Sequence, residues 1–312
     1  MKYDKPPLSI DDQIQRLKDR GLVVSDEERA KRYLTHIGYY RLSAYILPYE
    51  EQSSNNERTH KIQSDVSFDD IVDLYVFDRK LRVLVLEAIE RIEVSVRSNW
   101  THYLSIDSNS SHAFLCKKYF NNHWDYLEQL SKAAKDVKQS NEIFVKHYLN
   151  KYTDPYLPHI WAISETLSIG ALSRWYKNTK CKNIKSKVAK AVGIPSAELM
   201  DGILHCLTLL RNICAHHNRL WNRKMVTQLP HFKKLELTML YDLIDDAGQD
   251  KQQKQLKREL YNYLIITGYM IKNISPKSSW LNRVKDLMNS RSLEQQQAMG
   301  FPPQWQQQSF WS

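Results

Sequence analysis

The sequence predicts an all-α protein from three observations. Glycine and proline, which most often interrupt helices, number only 8 and 10 among 312 residues. Apolar residues between Ile71 and Val96 recur at three- and four-residue intervals, or their sum, for about seven helical turns. Strand-like runs are few and short. The 42% hydrophobic and 26% charged content is ordinary for a globular chain, so disorder is not expected.

Two short helices are predicted at the N-terminus. The first is an amphipathic run that begins after Ser9 and ends at Gly21. The second begins at a capping-box pattern formed by Ser25 and Glu28 and stops at Gly38. A polar stretch over residues 50–61 then predicts an exposed loop.

The apolar run that starts after Ser67 predicts the longest helix of the chain. Less regular helical segments follow to about Leu149, and two prolines within residues 151–159 mark a turn. One helix is then predicted from Ile160 to Tyr176. A lysine-rich segment over residues 177–190 follows it.

The last part of the chain begins with a separator, residues 193–196, and a helix that carries the main motif. A glutamine- and lysine-rich stretch over residues 249–257 and a helix through Ile271 come next. The final segment is too aromatic for a disordered tail.

We divide the chain into an N-terminal helical segment packed on the bundle (residues 1–60), a helical core with the motif (61–275) and a C-terminal tail (276–312). A single domain is the alternative.

The charge balance favours a polyanionic partner. The chain carries 45 Lys and Arg against 35 Asp and Glu, a net charge of +10, and nucleic acid is the first candidate. Eighteen tyrosines and eight tryptophans offer surfaces for stacking on unpaired bases, although filling helix–helix cores is the simpler explanation for most of them.

Cysteine usage and hydropathy predict a cytoplasmic protein that does not enter a membrane. The four cysteines show no CxxC pairing, and the first residues contain no apolar signal region. The longest apolar stretch, residues 261–270, is too short for a membrane span. We expect no cofactor and no metal, since the cysteines and histidines near the motif match no zinc pattern.

The main motif lies in residues 201–221, DGILHCLTLLRNICAHHNRLW, which predict one helix. On a helical wheel a stripe expected to face the core contains Ile203, Leu207, Leu210, Cys214 and His217. The opposite face contains His205, Thr208, Asn212, His216 and Arg219. With Arg211 at its flank, this polar row is a candidate phosphate site.

The residue types at this site suit RNA cleavage without a metal. Such cleavage needs a base for the 2′-OH proton, an acid for the departing 5′ oxygen and a cation for the charge on the phosphate. His216 is a candidate base or acid, because an unperturbed imidazole titrates near neutrality. Arg211 offers a planar donor array, and Asn212, one turn before His216, can orient the imidazole or bind the phosphate.

Spacing alone is weak support, because Arg-x4-His occurs twice. The second pair, Arg97 and His102, is either a second half-site within one chain or a structural feature, since Arg97 lies four residues after Glu93 and an ion pair is the simpler role.

Candidate RNA-backbone contacts are Lys182, Lys185 and Arg219. A solvated helix face explains the lysine run equally well.

The string RNICAHHNRLWNR, residues 211–223, resembles the RN-x-x-x-H motif of the HEPN superfamily of helical ribonucleases, and most closely its version in abortive-infection (Abi) proteins of the D/F type. Segments such as GYYRLSAYILPY, LPHIWAISETLSIGALSRWY and MGFPPQW resemble further landmarks of that family, so the similarity runs nearly end to end. The resemblance implies a HEPN-like helical bundle with additional N- and C-terminal helices. It also implies Arg211 and His216 as the catalytic pair, with Asn212 as their polar companion.

The same resemblance implies a phage-defence or toxin-type endoribonuclease that places two motifs face to face by homodimerisation. Its products would be 2′,3′-cyclic phosphate and 5′-OH ends, and its partners would be substrate RNA, a regulatory non-coding RNA and a neutralising antitoxin. The main alternative is a non-catalytic RNA- or protein-binding module, such as a sensor. A metal-dependent nuclease would need a cluster of carboxylates, and the acidic residues are scattered along the chain.

Overall fold

The computed structural model describes residues 6–51, 59–245 and 252–311, with only the backbone for 243–245 and 252–254. These residues contain thirteen α-helices and one two-stranded sheet, which confirms the all-α prediction. Residues 52–58 of the predicted polar loop and residues 249–251 of the glutamine- and lysine-rich stretch lie outside the described part. The chain divides between Leu81 and Arg82 into two compact units.

The first unit contains three short helices and the beginning of a long one. These are α1 (Ile10–Asp19), α2 (Glu27–Ile37), α3 (Tyr39–Ile46) and the first turns of α4 (Phe68–Ser108).

Helix α1 begins as predicted, with a capping box formed by Ser9 and Asp12. Helix α2 ends at Gly38 as predicted, but its N-cap is Asp26, not Ser25. The Asp26 carboxylate accepts a hydrogen bond of 2.8 Å from the Arg29 amide, so the first turn starts one residue later than the capping-box pattern predicts.

Helix α4, at 41 residues, is the longest element, as predicted. Ser67 caps it: the Ser67 hydroxyl accepts from the Asp70 amide at 3.2 Å, and the Asp70 carboxylate accepts from the Ser67 amide at 2.8 Å. The apolar positions that predicted this helix are all buried, namely Ile71, Leu74, Leu81, Val85, Ile89, Ile92 and Val96.

The second unit contains the rest of α4, nine further helices and the sheet. The helices are α5 (His123–Gln139), α6 (Ile143–Lys151), α7 (Ile160–Thr166), α8 (Ile169–Asn178), α9 (Lys182–Ala191), α10 (Ala197–Ala215), α11 (Leu260–Ile274), α12 (Trp280–Asn289) and α13 (Leu293–Gln297). Strands β1 (Tyr241–Asp245) and β2 (Gln252–Leu256) pair antiparallel, with Tyr241 opposite Leu256.

The prediction of one helix from Ile160 to Tyr176 was wrong, because the chain breaks between α7 and α8. Leu167 is buried in an extended conformation, and the Ser168 hydroxyl accepts a hydrogen bond from the Ala171 amide at 3.3 Å. A buried leucine followed by a serine cap therefore starts a new helix inside an apolar run.

Helix α11 forms the centre of the second unit, since all twelve residues from Leu260 to Ile271 are buried. The aromatic C-terminal segment is folded against it: the Tyr261 ring lies 5.0 Å from that of Phe301 and 6.4 Å from that of Trp311. Within the described ranges, no helix is both long and apolar enough to cross a membrane.

Candidate active site

Helix α10 places the Arg-x4-His motif in its last turn. Ser196 caps the helix, and four of the five positions predicted to face the core are buried, at Ile203, Leu207, Leu210 and Cys214. The fifth assignment was wrong, because His217 is exposed and lies beyond the end of the helix.

The end of α10 explains why His217 leaves the core stripe. The His217 amide donates to the Cys214 carbonyl at 3.0 Å, and the Asn218 amide donates to the Ile213 carbonyl at 3.0 Å. With His217 in the left-handed region at a φ of 57°, these bonds form a Schellman motif. The chain turns away at His216, which becomes the C-cap and is exposed to solvent.

Asn212 and His216 line one cleft of about 260 Å³. Asn218, Arg223 and Thr227, from the segment after α10, and Tyr263 of α11 complete its polar groups. The apolar side chains of the cleft are those of Cys206, Leu209, Leu210, Ile213, Met225 and Val226. An exposed imidazole, an amide and a guanidinium therefore meet over an apolar floor.

Tyr263 makes one wall of this cleft rigid. Its side chain is buried, and its hydroxyl donates a hydrogen bond of 2.6 Å to the Thr227 carbonyl. Burial raises the pKa of the Tyr263 hydroxyl, and burial also raises the pKa of the neighbouring Cys206 thiol. Both groups are therefore neutral near pH 7 and offer neither a nucleophile nor a charge.

Arg211 is half-buried and does not line this cleft. Its guanidinium lies near Glu93 of α4: burial raises the pKa of the Glu93 carboxyl, and the positive charges of Arg97 and Arg211 oppose that rise. The described residues provide no hydrogen bond to the Arg211 guanidinium. Its donors are therefore available to a phosphate at the end of α10.

The buried Arg97 side chain occupies an ion-pair network that reaches the exposed Glu165. Its guanidinium contacts Glu93 at 2.6 Å and Glu165 at 3.2 Å, and it donates to the Leu167 carbonyl at 2.9 Å. The ion pair with Glu93 that the four-residue spacing predicts is confirmed. His102 is exposed, and its ring meets the ring of Tyr103 at 5.1 Å.

The three candidate RNA contacts differ in accessibility. Lys182 is exposed at the start of α9, whereas Lys185 is buried and its ammonium contacts Asp201 at 2.7 Å. Burial raises the pKa of the Asp201 carboxyl in spite of this pairing. Arg219 is half-buried, and its backbone carbonyl accepts a hydrogen bond from Arg223 at 3.4 Å. The expectation that Lys185 contacts RNA was therefore wrong, because its ammonium is buried and paired with Asp201.

Sequence reasoning did not single out Arg223 and Tyr263. Arg223 is the last residue of the quoted motif string, but it follows the end of the helix, where wheel geometry gives no position. Tyr263 comes from a helix far along the chain, and no local pattern connects it to His216. In the part of the chain that the structure describes, no group of three or more His, Cys, Asp or Glu side chains is arranged to hold a metal ion.

Comparison with known proteins gives one family match. Neither a curated protein nor a solved structure matches the chain. The family model described as "Abi-like protein" matches residues 32–222, which is more than half of the chain and includes the whole Arg-x4-His motif of α10. On this match the chain belongs to the Abi-like protein family.

Proposed function

We propose that this protein is a metal-independent endoribonuclease of a phage-defence system. The Abi-like family suggests abortive infection, and the proposal adds the HEPN superfamily, the D/F type and RNA as the substrate. A toxin–antitoxin arrangement with a neutralising partner is part of the same proposal.

One observation carries the proposal: a helix end that presents Arg211, Asn212 and His216 with accessible polar groups. Asn212 and His216 share a cleft with Arg223, and Arg211 lies on the flank of the same last turn. A phosphate bound in the cleft would meet the Arg223 guanidinium and the His216 imidazole, with the Arg211 guanidinium on the flank of the same helix end, and cations with an imidazole are the groups that phosphodiester transesterification uses.

In the proposed reaction the 2′ oxygen attacks the adjacent phosphorus after a base removes its proton. The new P–O2′ bond forms as the P–O5′ bond breaks, and an acid protonates the departing 5′ oxygen. His216 transfers one of these protons, Arg211 stabilises the negative charge on the phosphate, and Asn212 holds the imidazole or a phosphate oxygen. The products are a 2′,3′-cyclic phosphate and a 5′-OH.

A homodimer is the simplest way to complete this site. The motif supplies one histidine for proton transfer in each chain, and the reaction needs both a base and an acid. A second copy facing the first provides the other imidazole. We propose this arrangement over a second half-site at Arg97, because the Arg97 guanidinium already contacts Glu93, Glu165 and the Leu167 carbonyl.

Cleavage of total cellular RNA in EDTA, with mapping of the fragment ends, tests the proposal. Wild type should cut and leave cyclic-phosphate ends, and Arg211→Ala and His216→Ala should each lose roughly a hundredfold or more in rate. The matched control is His36→Ala, which removes an exposed histidine of α2. His102→Ala tests the second half-site and should cut like wild type.

Two results would contradict the proposal. If all variants bind RNA and wild type does not cut it, the chain is a binding module. If EDTA abolishes cleavage, the metal-independent mechanism is wrong.

A further inference from the structure

A second, wider cleft of about 930 Å³ lies in the larger unit among the segment after α4, helices α6 and α7, and the loop between α6 and α7. This aromatic cleft is lined by His112, His147, Tyr148, Tyr152, His159 and Trp161. Its volume is in the range of ligand-binding pockets. None of these residues belongs to the candidate active site.

Flat aromatic faces of this cleft remain open to solvent. The Trp161 side chain is 50% exposed although its ring stacks on that of His159, with centroids 4.5 Å apart and planes 27° apart. Tyr152 is 44% exposed, and its ring lies 4.9 Å from that of Tyr148. The stacked contact with His159 and the tilted contact with Tyr148 hold Trp161 and Tyr152 in place and leave both side chains partly exposed, as a stacking platform requires.

The inner wall of the aromatic cleft is fixed by hydrogen bonds. The Tyr148 hydroxyl donates to the Pro155 carbonyl at 2.9 Å and accepts from His112 Nε2 at 3.2 Å, while His112 Nδ1 accepts from the Ser111 hydroxyl at 2.9 Å. Burial lowers the pKa of His112, and burial with the nearby His112 lowers that of His159. Both imidazoles are therefore neutral near pH 7 and form hydrogen bonds without adding charge.

Cations flank the aromatic cleft, and carboxylates line it. Exposed Lys146 and Lys151 on α6 provide cations for a phosphate backbone, and the Lys151 ammonium lies 5.3 Å from the centre of the Tyr152 ring. Two carboxylates, Glu142 and Asp154, also line the cleft. They disfavour phosphates inside it but accept hydrogen bonds from the amino groups of bases.

A neighbouring cleft and two ion pairs link the aromatic cleft to Glu93, which lies near Arg211. A neighbouring cleft of about 650 Å³ shares Glu142 with it and extends to Glu165. Glu165 forms an ion pair of 3.2 Å with Arg97, and Arg97 pairs with Glu93 beside Arg211. An RNA strand bound in the aromatic cleft would thus occupy the same unit as the reacting groups.

We propose that the aromatic cleft binds unpaired bases of single-stranded RNA, with Trp161 and Tyr152 as the stacking surfaces. The faces of paired bases are covered by their neighbours in a duplex, so only unpaired bases can stack there. The choice of RNA as the nucleic acid rests on the proposed function. The stacking itself does not depend on catalysis.

Fluorescence anisotropy with a labelled single-stranded RNA of mixed sequence, and with the same strand in a duplex, tests this inference. All proteins carry His216→Ala so that the probe is not cut. Trp161→Ala should weaken single-strand binding about tenfold, and Trp161→Phe should retain most of it because a ring remains. The matched control is Trp124→Ala, which removes a 77% exposed tryptophan of α5 that does not line the aromatic cleft and should bind normally.

The inference fails if Trp161→Ala binds the single strand as tightly as its background, if the duplex binds as tightly as the single strand, or if neither binds. These outcomes are separate from those of the cleavage test. Weakened binding by Trp161→Ala, together with a wild-type protein that does not cut RNA in the cleavage test, would support the cleft and contradict the endoribonuclease. Normal binding by Trp161→Ala, together with a wild-type protein that cuts RNA, would support the endoribonuclease and contradict binding at the aromatic cleft.

Discussion

Lys182 and Lys185 are one turn apart on α9, yet their side chains meet different surroundings. The Lys185 ammonium is buried against Asp201 of α10 and lies 5.1 Å from the centre of the Tyr176 ring. It also donates a hydrogen bond of 3.2 Å to the Lys177 carbonyl. Lys182 is exposed. The same residue type therefore supports the fold at one position and is available to a ligand at the other.

We expect Lys185→Met to lower the free energy of unfolding by about 2 kcal/mol, since it leaves the Asp201 carboxylate without its cation; the pair is partly exposed, so the cost is below that of a fully buried pair. Lys182→Ala should change the free energy of unfolding by less than about 0.5 kcal/mol, and it should weaken RNA binding. Urea unfolding and RNA-binding titration of the two variants measure both effects. Equal stability of the two variants would contradict the structural role of Lys185.

Single residues could be predicted from the sequence only where their partners are local. Arg211, Asn212 and His216 lie within two turns at the end of one helix, and the ion pair of Arg97 with Glu93 spans four residues, so spacing was informative for both. The partner of Lys185 lies on another helix, and Arg223 reaches the cleft only because the chain turns after His217. Those positions depend on tertiary packing, which no local pattern contains.

The sequence predicted which segments form helices better than it predicted the residues at which those helices begin and end. The periodicity of apolar residues predicted α4 and α10, because a helix with one buried face has apolar residues at intervals of three or four. The errors lie where neighbouring residues compete to cap a helix, as Ser25 and Asp26 do before α2, or where an apolar run hides a cap, as at Ser168. Such choices are decided by differences of order 1 kcal/mol or less between caps.

The left-handed conformation at His217 gives a test of how α10 ends. A β-branched residue tolerates a positive φ poorly, whereas glycine adopts it freely. His217→Val should therefore unfold with a free energy about 1–2 kcal/mol lower than His217→Gly, as measured by urea denaturation. Both variants lose the imidazole, so each is the control for the contacts of the original side chain. Equal stabilities would mean that the helix does not end in the Schellman motif.

At the scale of the whole molecule, the sequence predicted the helical class but not the clefts. The candidate active site combines residues from α10, the following loop and α11. The aromatic cleft combines residues from the segment after α4, from α6 and α7, and from the loop between α6 and α7. The residues of each cleft meet only in the folded unit. The aromatic content of the chain was visible from the start, but which rings are buried and which stay open depends on that packing.

Buried tyrosine hydroxyl groups should lower the stability of the larger unit at alkaline pH. Burial raises the pKa of the hydroxyl groups of Tyr126, Tyr148, Tyr176, Tyr241, Tyr261 and Tyr263. In the unfolded chain these groups release their protons near pH 10. Because the folded state keeps protons that the unfolded state loses, the free energy of unfolding should fall as pH rises above about 10, and the tyrosines contribute no such slope below about 9.

Tyr176 should contribute strongly to this slope, because it is fully buried and its hydroxyl donates to the Lys185 carbonyl at 2.9 Å. Urea unfolding from pH 7 to 11 should show a shallower alkaline decline in Tyr176→Phe than in wild type, by up to about 1.4 kcal/mol per pH unit. The matched control, Tyr40→Phe, removes a hydroxyl from a 91% exposed ring and should keep the slope of wild type. Lysine deprotonation affects all three proteins alike, so the difference in slope isolates the tyrosine. Parallel declines in all three would show that burial of Tyr176 does not couple folding to its ionisation.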